Sequence, residues 1–177
     1  MIDRVLPNLA FVAALSCGLA AGIFYAFSSL VMRALARIPS SAGIAAMQSI
    51  NVSVINPWFI TALFGPAVIC SVLAVISLLR WNREGAVFLL AGSVLYLVGT
   101  MMVTFVFNVP LNDMLATVDP ASAEGASQWS GYLTTWTNWN HVRAAAALLA
   151  AASFTVAFCL AEGGFENLLP HRVQTKC

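Results

Sequence analysis

Two short polar stretches hold most of the residues in this chain that could do chemistry. One reads N-V-P-L-N-D at 108–113 and the other W-T-N-W-N-H-V-R at 136–143. Together they gather Asp113, His141, Arg143, four asparagines (Asn108, Asn112, Asn138, Asn140) and two tryptophans (Trp136, Trp139). An imidazole and a carboxylate can exchange protons, and a guanidinium with amides can hold an oxyanion. The remainder of the chain is almost uncharged, and both stretches fall at the mouths of apolar segments. Ionisable groups at such depth are costly, so they mark a candidate functional site. The competing reading is a belt of polar and aromatic side chains that anchors helix ends at a membrane surface.

The elements that position these residues follow from composition. The chain has 177 residues, of which 60% are hydrophobic and 8% charged, whereas about a quarter of the residues in an ordinary soluble domain are charged. Mean hydropathy is +0.87. Uncharged runs cover 5–32, 38–79, 85–112 and 144–161. A helix needs about 20 mostly apolar residues to cross a bilayer. The first and third runs each hold one span, and the second holds a span plus a shorter element. The fourth suffices if Asn140–Arg143 sits at the interface. The expected fold is all-α: an antiparallel transmembrane four-helix bundle forming one domain over 1–165, followed by a polar tail at 166–177. The apolar run past Ala14–Cys17 continues to Met32, too long for the core of a cleaved signal.

A net charge of +1 without a basic run excludes a nucleic-acid footprint. Cys17, Cys70, Cys159 and Cys177 have neither metal nor disulfide spacing. In short loops, Arg4, Arg80, Arg83, Arg172 and Lys176 fall on the side of the termini, against Arg33, Arg37 and Arg143 on the other. That excess predicts cytoplasmic termini in an inner or plasma membrane, with the polar cluster facing outward.

Finer organisation is readable. Ala10, Ala14, Gly18, Gly22 and Ala26 predict a smooth groove on the first helix, 5–35, for close backbone contact. Pro39-Ser40-Ser41 ends that helix and starts a short interfacial one over 42–55. Asn56-Pro57 reads as an N-cap with proline at the first position of the second span, which runs to Leu79 with a kink at Pro66. In the third span Tyr96, Thr100, Thr104 and Asn108 recur every four residues, a polar stripe that Asn112 continues. The stripe serves interhelical hydrogen bonds or the wall of a polar-lined cavity. Proline at 110 is expected to end that helix, and Asp119-Pro120 to begin a helical extension before the fourth span. Within the extension Trp129, Tyr132, Trp136 and Trp139 share one face that Arg143 extends, stacking on Trp139. They form either an interfacial girdle or a flat wall for a planar ligand.

F-Y-A-F-S at 24–28, N-x-x-x-x-N-P-W-F at 51–59, F-N-V-P-L-N-D at 107–113 and W-N-H-V-R at 139–143 together resemble the anthrone oxygenase-like family of small four-helix membrane proteins. The resemblance covers roughly residues 10–160. It implies a membrane oxygenase that converts a planar phenolic or quinoid aromatic with O₂. The functional positions it carries over are Asn108, Asn112, Asp113, Asn140, His141 and Arg143, with Asn51 and Asn56.

Such an oxidation runs without a bound redox cofactor, because the deprotonated substrate supplies the electrons. Under this reading His141 is the base, Asp113 orients or replaces it, and Arg143, Asn140 and Asn108 hold the oxyanion. Trp129, Tyr132, Trp136, Trp139, Asn112, Asn51 and Asn56 contact the substrate. Asn140 and Arg143, three apart, share a helix face, whereas His141 and Arg143 point to different sides. One His, one Asp and several Asn make a poor transition-metal site; haem on a single axial His stays open. Asp113 and Arg143 are expected to pair across the helix mouths, directly or through Asn112, Asn140 or His141. The alternative function is a non-catalytic transporter or accessory subunit that binds a lipophilic ligand.

Overall fold

The computed structural model describes residues 2–161 and Gly163, so the tail at 166–177, with His171 and Cys177, lies outside the described residues. Among the described residues there are helices and turns and no strand. We label the helices α1 (residues 2–35), α2 (Ser40–Ser53), α3 (Pro57–Leu79), α4 (Ala86–Ala116) and α5 (Ala123–Ala161). All but α2 are long and apolar enough to cross a membrane. The fourth span and its extension are one uninterrupted 39-residue helix.

Helix starts follow from local chemistry. The Asn56 side chain accepts from the backbone N–H of Trp58 and of Phe59, both at 3.0 Å, and Pro57 fills the first position, where no N–H is needed. Helix α2 begins two residues earlier than expected, because the Pro39 carbonyl already accepts from Gly43 N at 2.9 Å. Helix α5 begins later than Asp119-Pro120. Asp119 closes a turn by accepting from Ala121 N, and Ser122 Oγ takes the capping role by accepting from Gly125 N, each at 2.9 Å.

Pro110 does not end α4. The π-helical stretches Leu95–Met102 and Thr104–Asn108 precede it, and α-helix resumes at Val109 with Pro110 in its first turn. Proline is tolerated there, because the register change leaves first-turn donors without a partner anyway. Pro66 likewise lies inside a continuous α3.

The core has two regions. At the end of the bundle nearer Arg80–Gly85, Ala10, Ala13, Cys17, Ala20 and Ala21 of α1 pack with Leu73, Leu89, Ala147, Ala150 and Phe154. This corrects the expected groove. Gly22 and Ala26 are exposed, and a Cβ added at Gly18 or Gly22 would meet nothing within 4 Å. A four-residue step advances about 40° beyond a full turn, so a strict repeat of four drifts off the interface, while mixed steps of three and four stay on it. Toward the other end, Met32, Leu35, Ile44, Met47, Leu115, Trp129, Tyr132 and Trp136 form a second cluster beneath α2. Gln48 of α2 donates to the Leu115 and Val118 carbonyls, both at 2.9 Å, and so caps the end of α4.

Partners along α4 and α5 run in opposite senses. A Cβ on Gly92 would lie 2.9 Å from the Phe154 ring and one on Gly99 2.5 Å from Ala146 Cβ, while Thr104 meets Arg143 and Asn108 meets Trp136. Phe11 and Phe158, with ring centroids 5.4 Å apart, and Phe24 with Asn140 set the same sense for α1 and α5.

Candidate functional site

The polar stripe of α4 turns wholly inward. Tyr96, Thr100, Thr104 and Asn108 are buried, and Asn112 follows on the same side. In a regular α-helix a repeat of four would drift around the axis; the wider π turns between Leu95 and Asn108 counter that drift. The hydroxyl of Tyr96 donates to the Leu63 carbonyl at 2.9 Å, and Thr100 Oγ1 donates to the Arg143 carbonyl at 3.3 Å. Asn108 Nδ2 donates to the Trp136 carbonyl at 3.2 Å, while its Oδ1 is buried without a partner.

Helix α5 supplies the facing wall. Trp129, Tyr132, Trp136, Asn140 and Arg143 are buried along one face, so the first three rings form an interior wall, not a surface girdle. Trp129 and Tyr132 stack at 5.5 Å beneath Gly43, where a Cβ would lie 2.8 Å from the indole. Trp139 falls off this face and stacks on Phe107 at 3.6 Å. It is therefore not the ring beneath Arg143. The guanidinium sits over Phe24, 4.4 Å from its centroid, and beside Trp136 at 5.2 Å.

Arg143 is the centre of the arrangement. Only 5% of its surface is exposed. Its Nη1 donates to Thr104 Oγ1 at 3.2 Å and its Nη2 to Asn140 Oδ1, whereas Nε is buried with no partner. The Asn140 amide nitrogen in turn donates to Ser28 Oγ and, at 2.6 Å, to the Phe24 carbonyl of α1. That carbonyl lies just before the π segment Phe27–Val31, where the ordinary helical donor sequence is disturbed.

The expected pairing of Asp113 with Arg143 is not formed. Because α4 continues through Pro110, Asn112 faces inward and Asp113, about 100° further round, is exposed. His141 is exposed as well, two residues from Arg143 on a straight helix. Neither lines the cavity described next, and Asn56 is used as a helix cap.

Beside Arg143 lies a cavity of about 300 Å³ between α1, α2, α3 and α4, at the small end of the range for ligand sites. Phe24, Phe27, Met47, Phe59 and Leu63 form much of its apolar lining, and its exposed rim is Ile55, Ile60, Phe64 and Phe105. Its polar lining is Asn51, Thr104, Asn112, Trp136 and Arg143. Asn112 Oδ1 accepts both Tyr132 Oη at 2.9 Å and Trp136 Nε1 at 2.8 Å. Two donors on one atom fix it as the oxygen and leave the amide nitrogen available to a ligand. Asn51 Nδ2 is also buried and unpartnered.

Among the described residues the cavity thus offers donors and one cation, with no carboxylate or imidazole on its wall. Among the described residues no three His, Cys, Asp or Glu converge as a metal site. Of the residues singled out in the sequence, Arg143, Asn112, Asn51 and Trp136 meet at the cavity. Asn108, Asn140, Trp129 and Tyr132 support them from behind. Thr104 was visible only as a member of the stripe. The apolar lining carried no signal, because a phenylalanine facing a cavity reads like one facing lipid.

No curated protein and no solved structure matches the chain. The family model for anthrone oxygenase matches residues 57–153, from the first turn of α3 past Arg143 on α5. That match takes in more than half of the sequence, and the chain belongs to the anthrone oxygenase family.

Proposed function

We propose that this protein is a membrane oxygenase that binds a planar phenolic or quinoid aromatic of the anthrone type as an anion paired with Arg143, for oxidation by O₂. The observation that carries this reading is a buried guanidinium with neutral partners and an unpartnered Nε, on an arginine that lines an apolar cavity. A buried cation without a counter-charge is costly, and an anionic ligand offsets that cost. An opposite charge at contact distance also favours the ionised form of the ligand.

The chemistry balances without a further reductant. The ring methylene releases a proton to water, and its electron pair delocalises onto the carbonyl oxygen, which Arg143 holds. The anion gives one electron to O₂, and the resulting ring radical and superoxide combine to form the C–O bond. Protonation gives a hydroperoxide, which loses water to leave the new carbonyl. In sum, CH₂ and O₂ become C=O and H₂O. The protein stabilises the oxyanion, orients the ring against Trp136 and the phenylalanines, and encloses O₂ and substrate in an apolar chamber. This reading assigns no role to His141 or Asp113.

A second reading, a non-catalytic carrier of a lipophilic anion, draws support from a cavity wall that, among the described residues, is lined by apolar groups, neutral donors and Arg143. Reconstituted protein, an anthrone and dissolved O₂ separate the two. For the oxygenase, quinone absorbance rises with O₂ uptake, Arg143→Gln slows it roughly 100-fold, and His141→Ala does not. A full rate in Arg143→Gln, or loss of the rate in His141→Ala, overturns the proposed role. Binding without turnover selects the carrier. Cytoplasmic termini, following from the Lys and Arg asymmetry, place the cavity in the outer half of the membrane. Reporter fusions active only outside the cell would reverse that orientation.

A further inference from the structure

Among the described residues, the shell that holds Arg143 contains no charge. Its two terminal nitrogens are engaged by an amide oxygen and a hydroxyl, and both partners are themselves buried. Asn140 is fully enclosed, and each atom of its amide has a partner: the nitrogen donates to Phe24 O and Ser28 Oγ on α1, and the oxygen accepts from Arg143. It therefore ties the guanidinium to α1 and fixes the plane from which Nε is left over.

An aspartate at this position could accept from the same guanidinium nitrogen, but it would cancel the positive charge and lose the donation to the Phe24 carbonyl. The amide does the opposite on both counts. It fixes position through hydrogen bonds and adds no charge.

We infer that Asn140 is a positioning residue whose neutral side chain locks the Arg143 guanidinium against α1 while leaving its charge to the ligand. This rests on the proposed anion site, and it adds that the site depends on the absence of a carboxylate in the shell as much as on the presence of the arginine. Asn140 acts through Arg143 and does not line the cavity.

The test uses 2-hydroxyanthraquinone, a planar phenol that cannot be oxidised at the ring methylene it lacks and whose absorbance reports its ionisation. In vesicles containing the wild-type protein, the bound probe should ionise at a pH lower by about one or more than in protein-free vesicles, as beside an opposite charge. Asn140→Asp should abolish that displacement, and so should Thr104→Asp, which brings a carboxylate to the same guanidinium from α4. His141→Asp adds a negative charge one residue away on the exposed side, and should leave the displacement in place. The second carboxylate variant keeps the charge test open if Asn140→Asp does not fold. A probe that shows no displacement in the wild type overturns the anion site and this inference together. A wild-type displacement that survives both carboxylate variants overturns the inference alone. So does its loss in His141→Asp, because long-range charge would then explain the effect.

Discussion

The two ends of this bundle are built on opposite principles. Toward the Arg80–Gly85 turn, the helices meet through alanines, Cys17 and glycines, with the Phe154 ring resting directly on Gly92. Toward α2, they are held apart by Phe24, Trp129, Tyr132 and Trp136, and the space between them is a cavity of about 300 Å³ bordered by Arg143. Small side chains let backbones approach, and van der Waals contact is then the main cohesive force, since lipid is as apolar as the helix surface. Large rings and buried polar groups leave a shaped gap with unused donors. One end supplies cohesion and the other a binding site, so substitutions at the two ends should fail in different ways.

The largest effect on function should come from Arg143→Gln. Quinone formation should fall by about 100-fold, while the thermal midpoint holds or rises, since a buried unpaired charge is removed. Turnover and a melting curve on the same preparation check both halves. The reverse signature belongs to Gly92→Val. Its first added carbon meets the Phe154 ring at 2.9 Å, and such overpacking costs about 1–3 kcal/mol, whereas turnover per folded molecule should stay unchanged. A variant at Gly92 that abolished turnover without lowering stability would dissolve the division between the ends.

Asn112→Leu should fall between these limits. It strands the Tyr132 hydroxyl and the Trp136 indole N–H, which share Asn112 Oδ1, at a cost of about 1–3 kcal/mol. It also removes a donor from the cavity, so both readouts should decline. Smallest are His141→Ala and Asp113→Asn. Both residues are exposed, and stability should stay within about 0.5 kcal/mol of the parent, with turnover unaffected.

The four spans were legible because uncharged length is a coarse property that no packing detail can override. The polar stripe was legible for a similar reason, since Tyr96, Thr100, Thr104, Asn108 and Asn112 have nowhere favourable to point except inward. The spacing of three between Asn140 and Arg143 placed them together correctly. What sequence could not convey was helix phase near a proline. Pro110 was read as a stop, yet the π turns before it let α4 continue, and that continuation keeps Asn112 at the cavity while turning Asp113 outward. The pairing expected between Asp113 and Arg143, direct or through a neighbouring side chain, failed on this one point. Trp139 was misplaced by a smaller error of the same kind, because the buried face passes through Asn140 on its way to Arg143.

The central claim is that Arg143 receives an aromatic oxyanion in this cavity. A structure of the protein with 2-hydroxyanthraquinone bound tests it directly. The account predicts the ring between Phe27 and Phe59 and its phenolate oxygen about 3 Å from a guanidinium nitrogen of Arg143. A ring bound elsewhere, or one whose oxygen faces His141 or Asp113 and makes no contact with the guanidinium, would contradict it.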